Sequence, residues 1–184
     1  MRTRTATTLI AAIAALATLP AAPADATAQH GDTGQQQLRS YNATYVPPGS
    51  TARVHWTYTA AAAGKSVVVL QVHGLVPNRE YGAHAHTFAC GVTGAAAGGH
   101  FQYRPDPVTP SVNPTFANPD NEIWLDFTTD SEGSGSAQTV VDWQFPNASG
   151  ARAHSVVLHD HHTATATGVA GTAGPRYGCL TVNF

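Results

Sequence analysis

Three histidines within seventeen residues, His84, His86 and His100, lie among Gly and Ala in the run YGAHAHTFACGVTGAAAGGHFQY (81–103). In an extended strand, side chains two apart share a face, so His84 and His86 would present two imidazoles side by side while Ala83 and Ala85 turn away. Two neutral imidazoles are half of a transition-metal site. His100 returns after a Gly/Ala loop, and His159, ending the apolar run SVVLH, is the candidate for a fourth nitrogen. Imidazoles without thiolate or thioether suit copper by ligand type, although imidazole alone also suits zinc.

The elements needed to position such a set are strands. From Tyr41 onward, short apolar and β-branched runs alternate with Gly, Pro and Asn turns. Strands are expected over 41–46, 51–60 and 66–75, then around His84 and His86, and over 122–128, 137–145, 151–159 and 177–184. Within them Val54, Trp56 and Tyr58, and Val68, Leu70 and Val72, take the inner face. Ala61–Lys65 is expected to turn between the second and third. From Ala89 to about Asn121 five prolines break any run, and a loop that long inside a compact domain is usually functional. About eight strands with hairpin-like spacing and no helical period point to an all-β antiparallel barrel or sandwich.

Composition narrows the class of function. The formal charge is -2, and the basic residues are scattered, which disfavours nucleic acid. Arg2 and Arg4 precede LIAAIAALATL and then PAAPADA, the pattern of a secretory signal peptide (1–26) with a cut near Ala26. The apolar run is too short for a membrane span. Losing Arg2, Arg4 and Asp25 would take the charge to -3. The polar stretch 27–40 reads as a flexible leader in which His30 is solvated, and the single domain fills 41–184. The expected location is outside the cell or in its envelope. There a Cys90–Cys179 disulfide is the default, with two separate thiols or Cys90 as a metal ligand as alternatives. His55 and His73 stand alone on their strands and are read as half-exposed side chains. Sequons occur at Asn42 and Asn147.

The ordered set Gly82-x-His84-x-His86, Gly99-His100-Phe101, Leu158-His159 and Ala173-Gly174-Pro175-Arg176-Tyr177-Gly178-Cys179 resembles the secreted copper/zinc superoxide dismutases, from about Tyr41 onward. That resemblance implies a Greek-key, eight-stranded antiparallel barrel. It implies His84, His86, His100 and His159 as copper ligands, and Arg176 as the cation that receives superoxide and acts with His100 in catalysis. It also implies a Cys90–Cys179 bridge tying the long loop to the last strand. The reaction would turn superoxide into dioxygen and hydrogen peroxide by Cu(II)/Cu(I) cycling.

The departures matter too. In the family, two further histidines and an aspartate after GHF bind zinc, but no His lies between His100 and His154 here. Zinc is therefore expected to be absent, as in the copper-only members, where a glutamate supports the metal-binding histidines. Glu122 is placed in that role, accepting the far N–H of His100, with Asp120 as its competitor. The segment DHHTATATGVAGTAG (160–174) has no Lys, Arg or Glu, which leaves Arg176 as the local attractor. His161 and His162 are read as solvated rather than as copper recruiters. Two other readings are a secreted copper-buffering protein on the same scaffold and a structural β-domain without chemistry. A cupin-type site needs a glutamate soon after HxH, and none occurs before Glu122.

Overall fold

A computed structural model describes residues 29–58, 64–146 and 151–184. The expected signal peptide, the 61–63 part of the expected turn and the Asn147 sequon lie outside them. The strongest alternations form the centre of one sheet. β4 (Thr51–Tyr58) pairs antiparallel with β5 (Ser66–His73), from Thr51 opposite His73 to Tyr58 opposite Ser66. Ala52, Val54, Val68, Leu70 and Val72 on its inner face are fully buried. β9 (Gly135–Val141) borders β5, and β1 (Gln29–Asp32) and β2 (Gln36–Gln37) border β4.

The second sheet has the order β3 (Arg39–Ser40), β11 (Arg176–Thr181), β10 (Ser155–His159), β7 (Ala83–His86). β7 neighbours β10 although more than sixty residues separate them, the crossover of a Greek key. A strand with both faces covered reads as a continuous apolar run, and every residue of β10 is buried. Val156 and Leu158 face the main core with Ala83 and Ala85, while Val157 packs with Cys179 and Ala97 on the other side. A short ladder of β6 (Glu80–Tyr81) with β8 (Phe127–Thr128) completes the described strands. The architecture is the all-β antiparallel one read from the sequence.

Several details differ. The polar stretch expected as a flexible leader carries β1, β2 and β3, paired with β4 and β11. Strand pairing uses backbone groups, so polar side chains can ride on a sheet edge, and the buried Leu38 anchors the segment. Residues 41–46, expected as a strand, form a turn instead. Asn42 accepts backbone N–H groups from Thr44 through its side chain and from Tyr45 and Val46 through its carbonyl, the local bonding that makes Asn a turn residue. The 122–128 run keeps its alternation, with Ile123, Leu125 and Phe127 buried, but only its last two residues pair as a strand. Its opposite face is covered too: Glu122 is buried against His100 and Trp124 lies against His84. The long loop holds a 3-10 turn, Gly94–Ala97.

Candidate metal centre

Register brings the histidines of the second sheet together. His84 lies opposite Val157 and His86 opposite Ser155, so His159, two residues beyond Val157, extends the same face. The long loop then returns beside β7. Thr87 N–H donates to the Gly99 carbonyl at 3.1 Å and Phe101 N–H to the Ala85 carbonyl at 2.8 Å, which sets His100 against His86. Gly82 permits the remaining wall to close over the strand, because a Cβ there would stand 2.4 Å from the His161 carbonyl oxygen and 2.7 Å from the Ala173 Cβ. One nitrogen from each of His84, His86, His100 and His159 falls within 4.8 Å of the others. His84 and His86 are fully buried, and His159 nearly so.

The back nitrogens identify which atoms face inward. His86 Nδ1 donates to the Gly98 carbonyl at 3.1 Å, and His159 Nδ1 donates to the Gly174 carbonyl at 3.1 Å. His100 Nδ1 donates to Glu122 Oε2 at 2.8 Å. Thr163 spends its only hydroxyl proton on Asp126 Oδ1 at 2.8 Å, so its oxygen accepts from His84 Nε2 at 2.6 Å. The free lone pairs are therefore His84 Nδ1 and the Nε2 atoms of His86, His100 and His159.

Three of these inward atoms are buried with no donor facing them. His84 Nδ1 is buried without a hydrogen bond, and the Nε2 atoms of His86 and His159 face each other at 3.4 Å with no proton to share. Buried, unpaired acceptors are costly unless an electropositive group sits among them. Burial above all, then the neighbouring positive groups, holds His84 and His86 well below the ordinary histidine range. Burial likewise lowers His159 to about 3. These three imidazoles are thus neutral and ready to donate to a cation. The donor set fits a transition metal that prefers imidazole.

Glu122 is the carboxylate that meets His100. It is fully buried and also accepts from Gln102 Nε2 at 2.7 Å and from Trp124 Nε1 at 2.6 Å. Asp120, its competitor in the sequence, is exposed, and its backbone carbonyl takes the Trp143 indole N–H. A cavity of about 470 Å³ opens beside the cluster, lined by His100 and His159 and by the half-buried Arg176. Arg176 donates to the Gly94 carbonyl at 2.7 Å. Cys90 and Cys179 are disulfide-bonded, which closes the loop that supplies both Gly94 and Gly98. Next to His159, Asp160 is held by Arg79 at 2.5 Å and by the Tyr177 hydroxyl at 3.0 Å.

His161 and His162 are exposed and bond Asp160 and the Phe127 carbonyl, outside the cluster. His55 and His73 lie on the far sheet, near Asp32 and Ser134. Sequence reasoning missed Thr163, Asp126, Trp124 and Gln102. None has a partner at motif spacing, and only the polar position of Asp126 in the alternation WLDF sets it apart.

No protein-family model matches the sequence, and no curated protein does. Among solved structures, the chain is similar to a Cu/Zn superoxide dismutase from Brucella abortus, with a TM-score of 0.54 and 16% identity over 84% of this chain and 100% of that one. It is also similar to a superoxide dismutase-like protein from Bacillus subtilis, with a TM-score of 0.54 and 14% identity over 82% and 99%. The chain therefore has the fold of the Cu/Zn superoxide dismutases and their look-alikes, with four converging histidines on one face of its second sheet.

Proposed function

We propose that this protein is an exported, copper-dependent superoxide dismutase that works with a single metal ion and no zinc. One observation carries the reading: four imidazoles bring one ring nitrogen each within 4.8 Å of the others while an acceptor occupies every back nitrogen. His84, His86, His100 and His159 would hold the ion. Copper would supply one-electron cycling, so that two superoxide ions and two protons become dioxygen and hydrogen peroxide. Zinc has no redox chemistry to offer there.

The chain's own residues supply the rest. Arg176 places a half-buried cation at the cavity beside His100 and His159, where a small anion is drawn in. His100 keeps a proton on Nδ1 against Glu122, which fixes its tautomer and leaves Nε2 free. The zinc-free part rests on what the nearby carboxylates already do. Glu122 is taken up by three donors, and Asp106 accepts from Val108 N–H and Ser111 Oγ. A disulfide fits export.

The test is metal content after loading with copper and zinc together, with superoxide consumption measured on the same sample. One copper per chain, little zinc and rapid turnover are expected, and His159→Ala should abolish turnover while the domain stays folded. Stoichiometric copper without turnover would favour a copper-buffering protein, and an active His159→Ala protein would defeat the assignment.

A further inference from the structure

We propose that Trp124 is a built-in one-electron donor to the histidine centre, with Glu122 taking its indole proton; this rests on copper occupying that centre. The Trp124 ring meets the His84 ring edge-on, with centroids 6.0 Å apart. A backbone bridge between the two residues holds that contact. The indole Nε1–H lies 2.6 Å from Glu122 Oε2, the oxygen that also accepts from His100 Nδ1 at 2.8 Å. Trp124 therefore touches two of the four histidines, one through its ring and one through a shared carboxylate oxygen.

The other tryptophans are placed differently. Trp56 packs on Phe184 at 5.3 Å, and Trp143 donates its N–H to the Asp120 carbonyl, which is no base. Removing an electron from an indole makes its N–H strongly acidic. A carboxylate at hydrogen-bond distance can take that proton, so no uncompensated positive charge is left in a partly desolvated place. Trp124 is half-buried and lies outside the lining of the Arg176 cavity, so an electron can be replaced there without blocking the substrate mouth.

The co-reactant is hydrogen peroxide, the product of the proposed dismutation. Each molecule takes up two electrons, and two protons from solvent, to become two water molecules. It draws one electron from copper(I) and the other from Trp124, whose Nε1 proton moves to Glu122. The neutral indolyl radical left behind is reduced from the solvent side by a one-electron donor such as ascorbate and regains its proton from Glu122. The device spares the ligand histidines from oxidation.

Copper-loaded, ascorbate-reduced protein, with its copper stoichiometry measured, is freed of reductant, mixed with hydrogen peroxide and frozen for electron paramagnetic resonance. A second portion is peptide-mapped. A neutral tryptophanyl radical and oxidation at Trp124 are expected. Trp124→Phe, with copper bound, should lose the radical, shift oxidation onto the ligand histidines and be inactivated several-fold faster, while Trp56→Phe keeps the signal. A radical that persists in Trp124→Phe overturns the proposal. So does an unmodified Trp124 beside oxidised histidines in the unsubstituted protein, a result that needs no variant to fold. Failure to bind copper defeats the functional reading and this one together; bound copper without a Trp124 radical defeats this one alone.

Discussion

At the scale of single residues, the site is decided by what stands behind each imidazole. Glu122 carries the greatest burden, since one buried carboxylate orients His100, Gln102 and Trp124. Removing such a partner of a ligating histidine costs ~10- to 100-fold in metal affinity. Glu122→Gln should therefore weaken copper binding by about that factor in a chelator competition; unchanged affinity would remove Glu122 from the site. The histidines also set a pH dependence. His84, His86 and His159 resist protonation when folded, chiefly because they are buried, whereas the unfolded chain protonates near 6.5. Below that value the unfolded state binds more protons, so stability rises with pH through the window and is complete above it. The metal-free protein should lose roughly 2 kcal/mol per such histidine between about pH 7.5 and about pH 5, read from urea midpoints. A flat profile would mean that these rings are open to water.

Between residue and molecule stand the elements that carry the histidines. β7 was legible because HxH in a strand has only one geometric meaning, and the apolar run before His159 marked a buried strand. The 122–128 segment was legible in its alternation but not in what covers its polar face, since Glu122 there meets Gln102 and His100, twenty and twenty-two residues away. The loop from Cys90 to His100 is the element most exposed to a test. Its carbonyls at Gly94 and Gly98 hold Arg176 and His86, and the Cys90–Cys179 bridge spans 89 residues. On the chain-entropy model such a crosslink is worth ~4 to 5 kcal/mol. Reduction should lower the melting temperature and speed copper loss to a chelator, and an unchanged melting curve would leave the bridge without a structural role.

For the molecule as a whole, the balance of charge would govern how the anion of the proposed reaction arrives. The chain is net negative, and Arg176 is the cation that lines the cavity beside the histidines. Attraction is therefore local, and a cation this close to its target is screened less than a distant field. Arg176→Ala should slow superoxide turnover by about tenfold or more and flatten its dependence on ionic strength; each tenfold corresponds to about 1.4 kcal/mol. Kinetics indifferent to the change would take Arg176 out of the reaction.

By itself the sequence determined the all-β class and the face shared by His84 and His86; it made a Cys90–Cys179 bridge the default, which the structure then supplied, and it offered residue types that suit a metal preferring imidazole. These follow from strand parity, from turn chemistry and from composition, all of which act over a few residues. The tertiary structure alone decided that Thr163 and Asp126 would stand behind His84 and that the polar residues 29–40 would close two sheet edges, and it settled the expected Glu122, not its competitor Asp120, against His100. Those outcomes depend on crossover register and on backbone pairing between distant segments, and neither leaves a periodic mark on side-chain order.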